Sequence, residues 1–141
     1  MDSNEITKST ANITNKRELI VSNISEQDKQ LYARVGNILE DINITPKIKS
    51  YYYLREAIIL VYKDPSYKNN MMERLFPDIG NKFDESNAKN VHRCIWVAID
   101  KAYKMTWKET LYKYFKKIPS KRKLSPSKVI EALVKYVDLH Q

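Results

Sequence analysis

The 141 residues carry 25 Lys/Arg against 17 Asp/Glu, a net +8, with 43% apolar residues, two glycines and five prolines. That length suits one domain with a real core, and a single cysteine excludes an intrachain disulfide framework and suits a reducing compartment. The N-terminal MDSNEITKST lacks the basic-then-apolar pattern of a signal peptide, and the longest apolar runs, such as residues 57–62, are too short to span a bilayer. The expectation is a soluble cytoplasmic protein.

Residues 1–24 are rich in Asn, Ser and Thr and hold no hydrophobic period, so they read as a flexible polar arm. Leu19-Ile20-Val21 is the one segment of it suited to local docking. Residues 25–141 then read as one domain. Ser25 is a good N-cap, with Glu26 and Asp28 in the first turn, where the helix dipole favours anions. Leu31, Val35, Ile38, Leu39 and Ile42 form the stripe of this first helix, and the Asn43-Ile44-Thr45-Pro46 segment stops it, because the residue before a proline avoids the α region. Residues 47–63 form a second helix, apolar nearly all round, which predicts a central and covered element. Its three consecutive tyrosines, Tyr51 to Tyr53, are expected to pack in the core and at its rim. Asp64-Pro65-Ser66 is a turn.

Residues 69–83 give a third helical unit with Met72, Leu75, Phe76, Ile79 and Phe83 on its apolar side, and Pro77 is expected to kink it or begin a second short helix. A polar turn at 84–86 follows, with Ser86 or Asp84 as the next cap. Residues 85–103 form a fourth, strongly amphipathic helix. Val91, Cys94, Ile95, Ala98, Ile99 and Ala102 fall at i, i+3, i+4, i+7, i+8 and i+11, a single stripe. Lys89, Arg93, Trp96 and Asp100 fall opposite, flanked by Asn90 and His92. Thr106 and Glu109 have the spacing of a capping box for a fifth helix with Trp107, Leu111, Tyr114, Phe115 and Ile118 as its stripe, ended by Pro119. Residues 120–123, SKRK, are an exposed basic turn. Ser125-Pro126 opens a last helix with Val129, Ile130, Leu133, Val134 and Val137 inward. The fold class is all-α, a six-helix bundle, and the short third unit, its turn and the basic fourth helix match a helix-turn-helix.

An enzyme has no foothold in this sequence. Gly36 and Gly80 are the only glycines, so no nucleotide-binding glycine motif exists, and Cys94, His92 and His140 have no metal-ligand spacing. Cys94 lies on the apolar stripe and reads as a structural thiol. The pairs Glu40/Asp41 and Asp84/Glu85 read as helix-end or turn charges. No cofactor and no metal are expected.

The charge points elsewhere. Residues 1–100 balance at 14 basic and 14 acidic groups, while residues 101–141 hold 11 basic and 3 acidic, which is the whole +8. Basic charge concentrated in this way favours a polyanion, and double-stranded DNA is the expected partner. On the fourth helix Arg93 suits a bidentate contact to guanine, Asn90 a contact to adenine, and Lys89 a base or a phosphate. Trp96 suits a thymine methyl or a sugar, and His92 also occupies a base-contact position. Lys101, Lys104, Lys108, Lys121, Arg122 and Lys123 suit phosphates, as does Ser86 at the helix N-terminus, whose free N–H groups attract anions.

Ile48-Lys49, the run Tyr53-Leu54-Arg55-Glu56-Ala57-Ile58, Val61-Tyr62, Leu75-Phe76-Pro77-Asp78-Ile79, Lys82-Phe83, Val91, Arg93, Ile95, Ala98-Ile99 and the Ser-Pro start of the last helix carry a resemblance. Over residues 26–139 the chain resembles the DNA-binding effector domain of the response regulator that initiates sporulation in endospore-forming Firmicutes. The resemblance implies six helices, a helix-turn-helix whose recognition helix starts near Ala88, and binding to short, often tandem DNA boxes as a homodimer, with activation or repression of transcription. It implies a base contact for Arg93. Three departures stand out. Only about 25 polar residues precede the effector, so no receiver domain and no phosphorylation control are expected. The turn before the recognition helix is one residue longer. Where relatives have Glu-Arg-Ala-Ile-Arg after the Val, this chain has His92-Arg93-Cys94-Ile95-Trp96, so its preferred box is expected to differ. Two other roles fit the same residues: a decoy that dimerises with a full-length regulator, and a DNA-processing accessory factor of a mobile element.

Overall fold

The computed structural model describes residues 25–85, 87–120 and 124–140. The polar arm at 1–24, Ser86, and Lys121, Arg122 and Lys123 of the basic turn lie outside the described residues. Six α-helices are described: α1 Glu26–Asp41, α2 Lys49–Lys63, α3 Phe76–Lys82, α4 Ala88–Met105, α5 Lys108–Phe115 and α6 Pro126–Leu139. A 3₁₀ turn, Pro65–Asn69, and a π turn, Met71–Leu75, join α2 to α3. Among the described residues there is no strand, so the chain is the expected all-α bundle.

Helix α1 starts where the sequence places it. Ser25 Oγ accepts from Asp28 N–H at 3.2 Å. Its end is set by different chemistry. Asn43 takes a left-handed conformation, φ 70°, Asn43 N–H donates to Glu40 O at 3.0 Å and Ile44 N–H to Leu39 O at 2.9 Å. This double closure satisfies the last carbonyls before Pro46 is reached. Asn is tolerated at φ > 0, and its side chain donates to Met105 O and Thr106 Oγ1.

Helix α2 is the hub, packed against α1, α3, α4 and α6. Leu54, Ala57, Ile58 and Val61 are wholly buried. Tyr51 and Tyr53 are buried and Tyr52 packs at the rim, with the Arg55 guanidinium 5.0–5.3 Å from the rings of Tyr32, Tyr51 and Tyr52. The tyrosine run is therefore packing material. Glu56, at 2% exposure, is a carboxylate in the core. It accepts from Tyr32 O–H of α1 at 2.7 Å and pairs with Lys82 Nζ of α3 at 2.6 Å. Burial, then the Glu56 carboxylate beside it, push the Tyr32 hydroxyl far above its ordinary range, so it stays a donor.

Three expectations are corrected. Met72 is exposed, and Met71 fills the core instead, because the π turn adds a residue and rotates the face. Thr106 does not cap α5. Its hydroxyl bonds to Ile42 O and Ala102 O, and Trp107 occupies the N-cap position without a side-chain cap. Helix α5 ends before Pro119, at Lys116 with φ 64°, so its stripe is Leu111, Tyr114 and part-buried Phe115. Trp107, 78% exposed, and Ile118 lie outside the core. No helix among the described residues is long and apolar enough to cross a membrane.

Removing the Glu56 carboxylate strands the Tyr32 hydroxyl in the core. Glu56→Ala is expected to lower stability by about 1–3 kcal/mol, the cost of a buried unpaired polar group. Urea unfolding followed by circular dichroism would show this as a lower midpoint at unchanged slope.

Candidate nucleic-acid interface

Helix α3 is one short element begun by Pro77 near its N-terminus. Its end is tight. Asp84 is left-handed, φ 59°, and Glu85 N–H reaches back to Gly80 O at 2.8 Å. A Cβ on Gly80 would stand 2.6 Å from Glu85 O, so the turn needs a glycine there to approach this closely. Glu85 also anchors the turn to α2. Its Oε2 takes Lys49 Nζ at 3.3 Å and Tyr53 O–H at 3.2 Å, and Asn90 adds a further hydrogen bond. Partial burial pushes this carboxyl up, but those bonds outweigh it and hold the group below its ordinary value.

Helix α4 begins at Ala88. Its cap is Asn87, whose Oδ1 accepts from Lys89 N–H at 2.8 Å; neither Asp84 nor Ser86 is the capping residue. Asn ranks with Ser as a cap, so counting back from Val91 would have found it. Val91, Ile95, Ala98, Ile99 and Ala102 are buried. Cys94 is only part-buried, at the edge of the stripe, and its carbonyl accepts from Ser50 O–H of α2 at 2.9 Å. Helix α4 is thus pinned to α2 by Ser50 and, through the turn, by Glu85.

The outer face is free. Lys89, Asn90, Arg93, Trp96 and Val97 are exposed, and Lys89, Arg93 and Trp96 follow one another at i, i+4 and i+7, one line along the helix. Asn90 shares that face while its side chain serves Glu85. His92 turns toward the flank: its ring meets Phe76 of α3 at 5.4 Å and Trp96 at 5.6 Å, edge to face in both cases. Burial there lowers the His92 pKa. Lys101 and Lys104 are exposed further along α4, with Lys104 3.4 Å from Asp100, and Lys108 is exposed at the start of α5. Sequence reading missed three positions: Asn87, which is a local cap, and Glu85 and the Phe76 contact to His92, which bracket this face from other elements. Among the described residues no group of three or more His, Cys, Asp or Glu side chains is placed to hold a metal ion.

A short helix closed by a tight turn onto a long amphipathic helix with an exposed cationic face defines a helix-turn-helix domain. The family model of the sporulation initiation factor Spo0A C terminal matches residues 35–137. The chain belongs to that family, whose members are DNA-binding effector domains rather than enzymes, and transcription regulation and sporulation are the setting of the family.

Two outcomes check this geometry. Gly80→Ala is expected to destabilise the domain by about 1–3 kcal/mol through overpacking against rigid backbone, read as a lower Tm. His92 protonates more readily in the unfolded chain than in the fold. Its contribution to stability is full above the ordinary histidine value of about 6.5 and is lost as pH falls through the lower folded value. Between pH 7 and pH 5 Tm is expected to fall, and His92→Phe to flatten that fall.

Proposed function

We propose that this chain is a sequence-specific DNA-binding transcriptional regulator whose 141 residues bind DNA without a phosphoryl signal. The observation that carries this is the braced α4 helix with Lys89, Arg93 and Trp96 on its open face. Arg93 stands at the centre of that line and reads guanine by paired donors. Lys89 and Ser86 approach a phosphate or a neighbouring base, and Asn90 and His92 flank the reading line. Lys101, Lys104, Lys108 and the basic run Lys121, Arg122 and Lys123 supply phosphate contacts, which give affinity and register without sequence information. The concentration of cations from Lys101 onward supports that division. A homodimer on tandem sites, acting in the cytoplasm at the nucleoid, completes the reading.

The test is a binding selection from a random DNA library with the 141-residue chain, followed by footprinting. A recovered site with a protected guanine is the expected result. Arg93→Ala should weaken binding to it by about 1–3 kcal/mol and relax preference at that guanine. The log–log salt slope should be near −0.9 per phosphate contact, and Lys104→Ala or Lys108→Ala should each reduce it by about one contact. Unchanged binding by Arg93→Ala would remove α4 as the reading helix. Absence of any binding at low salt, with heterodimers formed on mixing with a full-length regulator, would replace this function by a decoy role.

A further inference from the structure

Trp96 is the residue that a purely cationic groove reader leaves unexplained. Its indole is 49% exposed at the middle of α4, on the side of Lys89 and Arg93. Val97, also half exposed, lies beside it. Large apolar groups gathered on a polar helix face mark a contact surface. The indole is also not loose. The His92 ring lies edge to face against it, centroids 5.6 Å apart at 63°. The other side of His92 meets Phe76 at 5.4 Å and 67°, and Phe76 is wholly buried. A continuous aromatic bracket therefore runs from the core of α3 through His92 to the surface of α4. Each contact has the edge-to-face geometry that aromatic rings favour. Fixing the indole before binding removes part of the ordering cost that a free side chain would carry.

The floor of the major groove offers donors, acceptors and one apolar group, the C5-methyl of thymine. The apolar face of an indole braced in the reading line, one helical turn from Arg93, fits that group. We propose that Trp96 reads a thymine methyl and that His92 is the positioning residue that holds the indole to it. This rests on α4 being the groove-reading helix. Three residues of helix separate Arg93 from Trp96, so at 1.5 Å per residue against 3.4 Å per base step the thymine lies within about two base pairs of the guanine that Arg93 reads.

The experiment uses the selected site with each thymine replaced singly by deoxyuridine, which removes the methyl and leaves every donor and acceptor in place. For the unmodified protein, one replacement near the guanine is expected to weaken binding about fourfold, the effect of losing one buried methyl-sized group. Trp96→Ala, a change at an exposed position that leaves the fold intact by circular dichroism, should bind the thymine and deoxyuridine sites equally. His92→Ala should lose most of the discrimination and His92→Phe should restore it, while both still require the guanine. In a Trp107→Phe background the Trp96 emission should shift on binding the thymine site and shift less on the deoxyuridine site. Tolerance of deoxyuridine at every position, with guanine dependence and the Arg93→Ala defect intact, would overturn the methyl reading and leave the proposed function standing. Full discrimination by His92→Ala would overturn the positioning role. Failure to select any site would overturn both the function and this inference.

Discussion

The carboxylate of Glu56 in the middle of α2 is the constraint on which the arrangement depends. A charge at 2% exposure is tolerated only when its oxygens are occupied. Here one oxygen takes Tyr32 from α1 and the other Lys82 from the end of α3. The two bonds come from two different helices and meet on one side chain, so α2 cannot slide against α1 without disturbing its tie to α3. Because Lys82 is the last residue of α3, the same bond sets where the turn to α4 begins. Glu85 then returns the chain to α2 through Lys49 and Tyr53, and Ser50 holds the α4 backbone. Apolar burial supplies most of the stability of such a core, but burial alone is non-directional. These four polar attachments give α4 one height and one rotation on its support.

Rotation matters because α4 carries different chemistry around its circumference. A turn of about 100° per residue separates the buried stripe from the line of Lys89, Arg93 and Trp96, and the flank between them belongs to His92. Its ring fills the gap between Phe76 and Trp96, so a position that looks solvated on a helical wheel is shared with the neighbouring helix. The lowered pKa of His92 follows from the same burial. At neutral pH the ring is uncharged, and the cationic character of the exposed line comes from Lys89 and Arg93 alone.

The parts of the fold that were legible in the sequence are those fixed by short-range rules. Ser25 and Ser125 cap the helices that follow them, each hydroxyl accepting from the N–H three residues on. Pro77 starts α3 because its missing N–H costs nothing in a first turn. Thr106 has the same local signature as a cap, yet two carbonyls, Ile42 O and Ala102 O, and the Asn43 amide use its hydroxyl first. A tertiary competitor of that kind leaves no trace in the local pattern. Met72 misled for another reason, since a π turn shifts the face by a residue and periodicity assumes a regular helix. The stripe of α4 was legible because five of its six members are fully buried; the sixth, Cys94, sits at the edge. Of the candidate site, the open line was readable from spacing, while its supports were not. Glu85 and Phe76 act across elements, and only their placement in space connects them to Asn90 and His92.

In the proposed reading, the distribution of charge and apolar surface separates affinity from selectivity along the chain. Lysines accumulate from Lys101 onward, where each phosphate met adds a term of about −0.9 to the salt slope and no preference for sequence. The middle of α4 carries one arginine and one indole. An indole releases no counterion, so it adds nothing to the salt slope, and its apolar face is a penalty wherever it meets a polar base edge. A cation at that position would strengthen binding to every sequence alike. In the proposed reading, the uncharged bracket of Phe76, His92 and Trp96 shifts the balance from strength toward discrimination, on a helix whose height and rotation the core already fixes.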